Sequence, residues 1–354
     1  MTIAAQPAWL AVIFSAIATD ANRARTRGIG RSGRICAART AMTQQQTEPL
    51  ATAPAGARSR SDAVKARFFL IVLCLGWGVT WPMMGIALRE IPPFSMRVSS
   101  LLLGVITLAA LAWLQGHELW IRSPRTWAHL AAASLFNIVG FSTFTPLAQL
   151  NAETSRVAIV VYTMPVWATL FARAVLRERV TATRAVALAL CVAGMAVLIY
   201  PLATLGVPVG ILFALGAAAS WAAGTVYLKW ANLDEDPMVV ALWQVVIGFI
   251  VLSVVLVLVE GSPHLGQAHL PAILALIFAG VVGSGISNFL WFDIVRRVPA
   301  TTASLGILSS PVVGVVSSVL MLGERPTAAD IVGFTLIFAA SACVLLRPQD
   351  ARQA

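Results

Sequence analysis

The chain has 354 residues, of which 58% are hydrophobic and 11% are charged, and its formal net charge is +10. Soluble globular domains carry about 25% charged residues, so this chain has too few charged side chains to cover a folded surface in water. The composition excludes an ordinary soluble domain and indicates a protein that is surrounded by lipid over most of its length.

The first 67 residues differ from the rest and predict a basic, disordered tail. An apolar stretch at 7–18 is too short to span a bilayer and lacks the basic flank of a signal peptide. An Arg-rich stretch and a polar stretch at 42–61 follow it. Two interpretations are open: the tail binds anionic lipid headgroups, or the residues before Met42 are translated upstream sequence and Met42 is the start. The second is favoured, because nothing before Met42 resembles a folded segment.

Apolar runs long enough to cross a bilayer, about 20 residues each, recur from residue 68 to residue 346. They are continuous rather than alternating, which is typical of membrane-spanning helices and not of barrel strands. Short connections that carry most of the charged residues separate them. The sequence therefore predicts an all-α membrane protein with about ten transmembrane helices, at 68–88, 94–114, 127–148, 154–176, 184–200, 209–228, 238–259, 271–295, 301–322 and 328–346.

The Lys and Arg residues predict the orientation of these helices, because cytoplasmic loops are enriched in both. With the N-terminal tail and every second loop placed in the cytoplasm, 21 of the 25 Lys and Arg lie inside and 4 lie outside. Without the tail, 11 lie inside against the same 4. We predict a multi-pass protein of the inner (plasma) membrane with both termini in the cytoplasm.

The chain contains an internal repeat. When Pro165 is aligned with Pro311, Glu178 and Arg179 fall on Glu324 and Arg325. This match extends over residues 147–201 and 294–348. It predicts two repeats of five helices, at 68–203 and 204–347, followed by a short tail at 348–354.

Earlier positions match as well, with Trp77 on Trp221 and Gly104 on Gly248. Five is an odd number, so the second repeat must enter the membrane inverted with respect to the first. Inverted repeats around a site at the membrane midplane are a recurring architecture of secondary transporters.

These residues resemble the EamA domain of the drug/metabolite transporter superfamily, over residues 68–346. The motifs that carry the resemblance are Trp77-Gly78, Pro93, Arg97, Pro165 with Arg177-Glu178-Arg179, Trp221 with Lys229, and Pro311 with Gly323-Glu324-Arg325. The resemblance implies ten helices in an inverted repeat, a central cavity and alternating access for metabolites or drugs. The chain departs from the family pattern at Gly85, where Lys is frequent, and at Arg177, where Gly is usual.

Aromatic and neutral polar residues within the apolar runs are the candidates for the substrate cavity. They are Trp77, Trp81, Asn137, Tyr162, Pro165, Trp221, Tyr227, Asn288 and Pro311. Each has a structural alternative: tryptophans also form interfacial belts, asparagines also bond between helices, and prolines also make simple packing kinks. The matched positions of the two prolines favour bends that shape the cavity.

The charged motif residues are interpreted as structural. They are Arg97, Glu178, Arg179, Lys229, Glu324 and Arg325. We expect each Glu-Arg pair to lie before a helix that is capped by Thr181 or Thr327, with the carboxylate near that helix N-terminus. Arg97 lies a few residues into its helix and is expected to snorkel outward.

The function predicted is secondary transport, by alternating access, of small neutral or zwitterionic metabolites such as amino acids, or of drugs. Export is the family-level expectation. No clustered carboxylates or metal-ligand set indicates an enzyme, a cofactor or a metal site. The alternative is a non-transporting membrane receptor or scaffold protein. The partners expected are a small-molecule substrate and membrane lipid, without nucleic acid, for a monomer or homodimer.

Overall fold

The computed structural model describes residues 60–177, 181–203, 209–291 and 309–345, and the regular secondary structure within these ranges is helical. The predicted N-terminal tail up to residue 59, the pair Glu178 and Arg179, and the C-terminal tail lie outside the described residues. We number the helices in chain order as α1 (Arg60–Ala87), α2 (Pro93–Leu114), α3 (Pro124–Asn151), α4 (Thr154–Val175), α5 (Ala182–Ala203), α6 (Val209–Ala231), α7 (Pro237–Val259), α8 (Leu270–Trp291), α9 (Ser309–Leu322) and α10 (Ala328–Leu345).

Seven helices in the described part of the chain are long and apolar enough to cross a membrane, namely α1–α4 and α6–α8. The apolar segments of α5, α9 and α10 are shorter, at Ala185–Tyr200, Ser309–Leu322 and Ala328–Cys343. The predicted all-helical, multi-pass class is therefore confirmed. That all ten helices cross the membrane stays a prediction.

The helix ends follow from local sequence. A proline occupies the first turn of α2, α3, α7 and α8, where its missing N–H costs nothing. The Asp236 carboxylate caps α7 by accepting the N–H of Met238 at 2.8 Å. Glycines with positive φ, Gly261 and Gly323, follow the C-terminal ends of α7 and α9.

Three pairs of helices that correspond in the two predicted repeats run antiparallel. In α2 and α7, Glu260 at the end of α7 accepts the N–H of Phe94 at the start of α2. In α4 and α9, Glu324 just beyond α9 contacts the start of α4. In α5 and α10, Gly194 packs against Ile337, and Leu198 packs against Gly333.

The glycines that the repeat aligns, Gly104 and Gly248, occupy equivalent close contacts. A Cβ added to Gly104 of α2 would lie 2.6 Å from the Cβ of Ser284 in α8. A Cβ added to Gly248 of α7 would lie 2.7 Å from the Cβ of Ile138 in α3. Neither position has room for a side chain, so each glycine allows its helix to approach the third helix of the other repeat.

The two helices that pack against these glycines, α8 and α3, each contain a π-helical segment at the contact. It spans Leu135–Gly140 in α3 and Ala279–Ile286 in α8. Ile138 and Ser284, the residues that face the two glycines, belong to these segments. π-Helical turns are rare overall, but those that occur are often found at functional sites. Their matched positions therefore indicate that the region where α3 and α8 cross the bundle is a candidate for the functional site.

Candidate functional site

One face of α1 carries three large side chains, two of which were predicted to line the substrate cavity. Trp77, Trp81 and Met84 are four and three residues apart and therefore lie on one side of α1. Trp77 is half-buried, and its ring lies 6.0 Å from that of Trp291 in α8. Trp81 is only 7% exposed and packs in the core rather than at the lipid interface. Its carbonyl accepts a hydrogen bond of 3.0 Å from Nε2 of Gln149.

Helix α4 is interrupted next to Pro165, where the sequence predicted a bend. The helix divides into Thr154–Val161 and Met164–Val175. Pro165 has no N–H with which to reach the carbonyl of Val161, which loosens the helix at this point. The Ser341 hydroxyl of α10 donates to the carbonyl of Tyr162 at 2.8 Å, so a neighbouring helix satisfies part of the irregular backbone.

The break in α4 brings two candidate positions together. The Tyr162 hydroxyl donates to Oγ of Ser310 in α9 at 2.7 Å. Ser310 immediately precedes Pro311, so the prolines matched by the repeat lie on either side of one hydrogen bond between α4 and α9. Residues 301–308, before Pro311, lie outside the described residues, so the predicted bend at Pro311 stays a prediction.

The two asparagines make contacts between and within helices. Nδ2 of Asn137 donates to Oε1 of Gln244 in α7 at 3.0 Å, while Oδ1 is buried without a partner. Asn137 also packs against Gly224 of α6, where a Cβ would lie 2.6 Å from its Cγ. Nδ2 of Asn288 donates to the carbonyl of Ser284 in its own helix at 2.8 Å. These contacts account for both asparagines structurally, and a substrate role for either stays a prediction.

The candidates of α6 lie nearer the surface than those of α1. Trp221, aligned with Trp77, is 37% exposed. Towards the end of α6, the Tyr227 hydroxyl lies 2.9 Å from Nδ1 of His129, and the ring of Trp230 lies 5.6 Å from that of Tyr227. Lys229 is exposed beside this aromatic group. The two halves therefore do not present identical aromatic surfaces.

Arg97 is buried, and the expectation that it snorkels outward is wrong. The side chain is 7% exposed. Its Nη2 donates to Oγ of Ser142 in α3 at 2.6 Å, and its Nη1 contacts the sulfur of Met84 at 3.6 Å. Its Nε is buried without a partner. The guanidinium therefore points into the bundle and has neutral protein contacts.

Carboxylates that follow α7 and α9 cap helices of the first half. Oε1 and Oε2 of Glu324 accept the N–H groups of Thr154 and Ser155, at 2.6 Å and 2.9 Å. Oε1 and Oε2 of Glu260 accept those of Phe94 and Ser95, each at 2.7 Å. Each carboxylate satisfies two N–H groups that a helix start leaves unpaired. The expectation that Glu324 serves the helix immediately after it is wrong, because it serves α4.

Thr327 caps the start of α10, as predicted. Asp330, which the sequence analysis did not single out, takes part in the same cap. The N–H of Asp330 donates to Oγ1 of Thr327 at 3.2 Å, and the N–H of Thr327 donates to Oδ2 of Asp330 at 2.8 Å, which is a reciprocal capping arrangement. Nε and Nη2 of Arg156 in α4 donate to the same carboxylate at 2.7 Å and 2.8 Å. Arg325, beside Glu324, is exposed.

A further acid, Glu153, lies in the connection just before α4. Burial raises the pKa of its carboxyl group, and the negative charges of Glu324 and Asp330 act in the same direction, against the opposing effect of Arg156. The carboxylates of Glu153, Glu324 and Asp330 and the guanidinium of Arg156 therefore lie together around the start of α4. With the predicted orientation, this is the outer end of the bundle.

Sequence reasoning missed several groups that the fold assembles. No sequence signal identifies the roles of Ser142, Gln149 and Glu260, because nothing in their local sequence shows which distant group each side chain contacts. The pairing of Thr327 with Asp330 does have a sequence signal, because a threonine followed three positions later by an acid is a recognised pattern at helix starts.

Together these features define the class: a multi-pass α-helical membrane protein with hydroxyl, amide and guanidinium groups inside the bundle and carboxylate caps at one end. The chain belongs to the EamA-like transporter family, whose pattern matches residues 64–200 and 208–346. The resemblance inferred from the sequence is thereby confirmed.

Named relatives are also transporters. The chain is 24% identical over 278 residues to the "Uncharacterized transporter YoaV" of Bacillus subtilis, covering 77% of this chain and 94% of that protein. It is 26% identical over 301 residues to a "Probable amino-acid metabolite efflux pump" of Salmonella typhimurium, covering 79% and 93%. It is 26% identical over 255 residues to the "Uncharacterized inner membrane transporter YedA" of Escherichia coli, covering 72% and 82%. The family and these relatives are transporters rather than enzymes.

A solved structure shares the fold. It aligns with a TM-score of 0.57 at 21% sequence identity, covering 81% of this chain and 98% of that one. At this identity the likeness concerns the fold alone.

Proposed function

We propose that the protein is a secondary transporter that works by alternating access, with ten membrane-crossing helices in two inverted repeats, 68–203 and 204–347. The observation that carries this proposal is the equivalent packing of Gly104 on Ser284 and of Gly248 on Ile138, at two matched π-helical segments. The antiparallel course of α2 against α7 and of α5 against α10 supports it, because inverted repeats place corresponding helices in opposite directions.

Alternating access requires contacts that form in one state and break in the other. The bonds from Glu324 and Glu260 to the starts of α4 and α2 join one proposed repeat to the other. The Arg156–Asp330 ion pair joins them at the same end. With both termini in the cytoplasm, this end faces outward, so we assign these bonds to a state that is closed towards the outside and that opens when they separate.

The proposed substrates are small neutral or zwitterionic metabolites, such as amino acids, or planar drugs. Aromatic side chains with a few neutral polar groups are typical of sites for such molecules. Trp77, Trp81 and the hydrogen-bonded pair of Tyr162 and Ser310 provide this chemistry between α1, α4 and α9. Export from the cytoplasm across the inner membrane is proposed by analogy with the efflux pump of Salmonella typhimurium named above.

A counterflow assay tests this function. Vesicles that contain the purified protein are loaded with an unlabelled amino acid, and the uptake of the same labelled amino acid is followed, with protein-free vesicles as the control. Transient accumulation inside the protein-containing vesicles is expected. If folded, monodisperse protein gives only the protein-free signal over a panel of amino acids and planar drugs, transport is refuted, and a receptor or scaffold role takes its place.

A further inference from the structure

We infer that Arg97 is the anion-binding group of the transport site and that it takes a carboxylate of the transported molecule. This inference rests on the proposed transport function and narrows its substrates to those with one carboxylate, including amino acids. The inference adds a single fixed cation to the aromatic and neutral polar candidates of the proposed site.

Arg97 has no carboxylate partner among the residues that the structure describes. A guanidinium has five N–H donors. Within the described residues, one reaches Oγ of Ser142 and one reaches the sulfur of Met84, which is a weak acceptor. No carboxylate forms an ion pair with it in the described part of the chain. The nearby acid Glu260 is bound instead to the start of α2.

The burial of Arg97 without a counter-ion costs free energy. A buried charge without a counter-ion is strongly unfavourable, and ionisable residues inside membrane proteins mark functional sites by default. Arg97 is 7% exposed, and its Nε is buried without a partner. A ligand carboxylate would compensate the charge and can accept two parallel N–H bonds from a guanidinium.

The hydrogen bond to Ser142 indicates how deep the Arg97 guanidinium lies in the membrane. Ser142 lies nine residues before the end of α3 at Asn151, which is about 14 Å along a helix that rises 1.5 Å per residue. Half the thickness of the hydrocarbon core is about 15 Å. The backbone of Arg97 lies in the second turn of α2, so its side chain reaches from near the outer end towards the midplane. Secondary transporters with inverted repeats bind substrates at that depth.

An apolar and aromatic face of α1 lies beside the guanidinium. Met84, which contacts it, lies on the face of α1 that also carries Trp81 and Trp77. A molecule with its carboxylate at Arg97 could therefore extend an apolar or aromatic part along this face. The shift that aligns Gly104 with Gly248 aligns Arg97 with Ala241, so the second half supplies no matching cation. One cation suits a monocarboxylate better than a polyanion.

The test is a binding measurement that does not require transport. Thermal unfolding of the full-length protein in detergent is followed with three matched pairs of probes: leucine and leucinamide, phenylalanine and phenylalaninamide, and methionine and methioninamide. At least one of the amino acids, at a millimolar concentration, should raise the Tm. The shift produced by its amide at the same concentration should be smaller by a factor of about five or more. Equal shifts by acid and amide, or no shift by any acid, would overturn the inference.

Two variants identify the residue. Arg97→Gln should abolish the shift by the acid, whereas Arg89→Gln, which removes the same charge from an exposed side chain at the end of α1, should preserve it. Without ligand, Arg97→Gln should be as stable as the wild type or more stable, because an unpaired buried charge has been removed. A clearly less stable Arg97→Gln protein would indicate that the guanidinium is a structural hydrogen-bonding group.

The outcome is separable from that of the proposed function. Binding that depends on Arg97 without counterflow would refute transport and leave the carboxylate site in place. If the Arg97→Gln protein supports counterflow of an amino acid at the wild-type rate and affinity, the inference is refuted and the transport function stands.

Discussion

The carboxylate of Glu324 accepts the backbone N–H of Thr154 at 2.6 Å, although the two residues are 170 positions apart. The bond caps α4 with an acid that follows α9, so the folding of one proposed repeat completes a helix of the other. A helix start that is buried without such a partner would leave its N–H groups unsatisfied. The contact is therefore both a cap and a connection between the halves.

Glu324→Ala should weaken this connection. We expect a loss of about 1–2 kcal/mol, in the range of a removed helix cap, because the N–H groups of Thr154 and Ser155 lose their acceptors. Thermal or denaturant unfolding in detergent measures this loss. Arg325→Ala, which changes the exposed neighbour, should have little effect.

The same variant also reports on access to the outer end. Ser155 is fully buried beside Glu324. In the Ser155→Cys protein, a membrane-impermeant maleimide added from outside should label Cys slowly, and Glu324→Ala should accelerate the labelling. Equal labelling with and without Glu324 would contradict the assignment of this contact to the outward-closed state.

The close helix contacts at the two aligned glycines give a second prediction. Gly104→Leu and Gly248→Leu should each cost about 1–3 kcal/mol or more, because the new side chains collide with Ser284 and Ile138 respectively. The yield of monodisperse protein and its Tm measure the effect. Gly266 has open space around it and an ordinary backbone conformation, so Gly266→Leu is the matched control and should behave like the wild type.

Similar losses at both glycines would agree with the proposed repeat symmetry, since equivalent positions should be equally crowded. If one substitution is tolerated as well as Gly266→Leu, the two contacts are not equivalent. The assignment of α2 with α8, and of α7 with α3, as corresponding pairs would then be wrong.

The sequence predicted the helices well, because bilayer thickness and local caps determine where they begin and end. The predicted run at 154–176 is the observed Thr154–Val175, and the predicted run at 238–259 is the observed Pro237–Val259. The break before Pro165 was also predictable, since a missing N–H is a local property. These features depend only on neighbouring residues and on the surrounding lipid.

The contacts of the site were less predictable, because they depend on distant partners. Arg97 could extend towards the headgroups or into the bundle, and Ser142, 45 residues away, decides the direction. Glu324 could cap the next helix or another one, and the antiparallel packing of α4 and α9 decides between them. The two π-helical segments, which bring Asn137 and Ser284 to the packed helices, had no recognised local signal.

The raised pKa of Glu153 gives a prediction on pH. A carboxyl group with a raised pKa in the folded protein favours its protonated form, so the folded protein loses stability as the pH rises from the ordinary carboxyl pKa through the raised value. Arg156 opposes this effect, and Glu324 and Asp330 add to it. Glu153→Gln should therefore have a Tm about 1–2 °C above that of the wild type at pH 8, and the difference should vanish at strongly acidic pH.

The control for net charge is Glu118→Gln, at an exposed side chain in the connection between α2 and α3. If Glu153→Gln lowers the Tm at pH 8, attraction to Arg156 at 3.4 Å outweighs the cost of burial. The start of α4 would then depend on the Glu153 charge instead of tolerating it.

The orientation of the chain gives the last prediction, and the assignment of an outer end depends on it. The motivation is the excess of Lys and Arg in the tails and alternate loops, 21 against 4. A reporter that is active only outside the cytoplasm should work when fused after Glu260 and fail when fused after Arg347, and a reporter that is active only in the cytoplasm should give the opposite result. Fusion after Glu118, in a predicted cytoplasmic connection, is the internal control. If the pattern is reversed, the Glu324 and Glu260 caps close the cytoplasmic end, and the maleimide in the Ser155→Cys experiment must be supplied from inside to detect their opening.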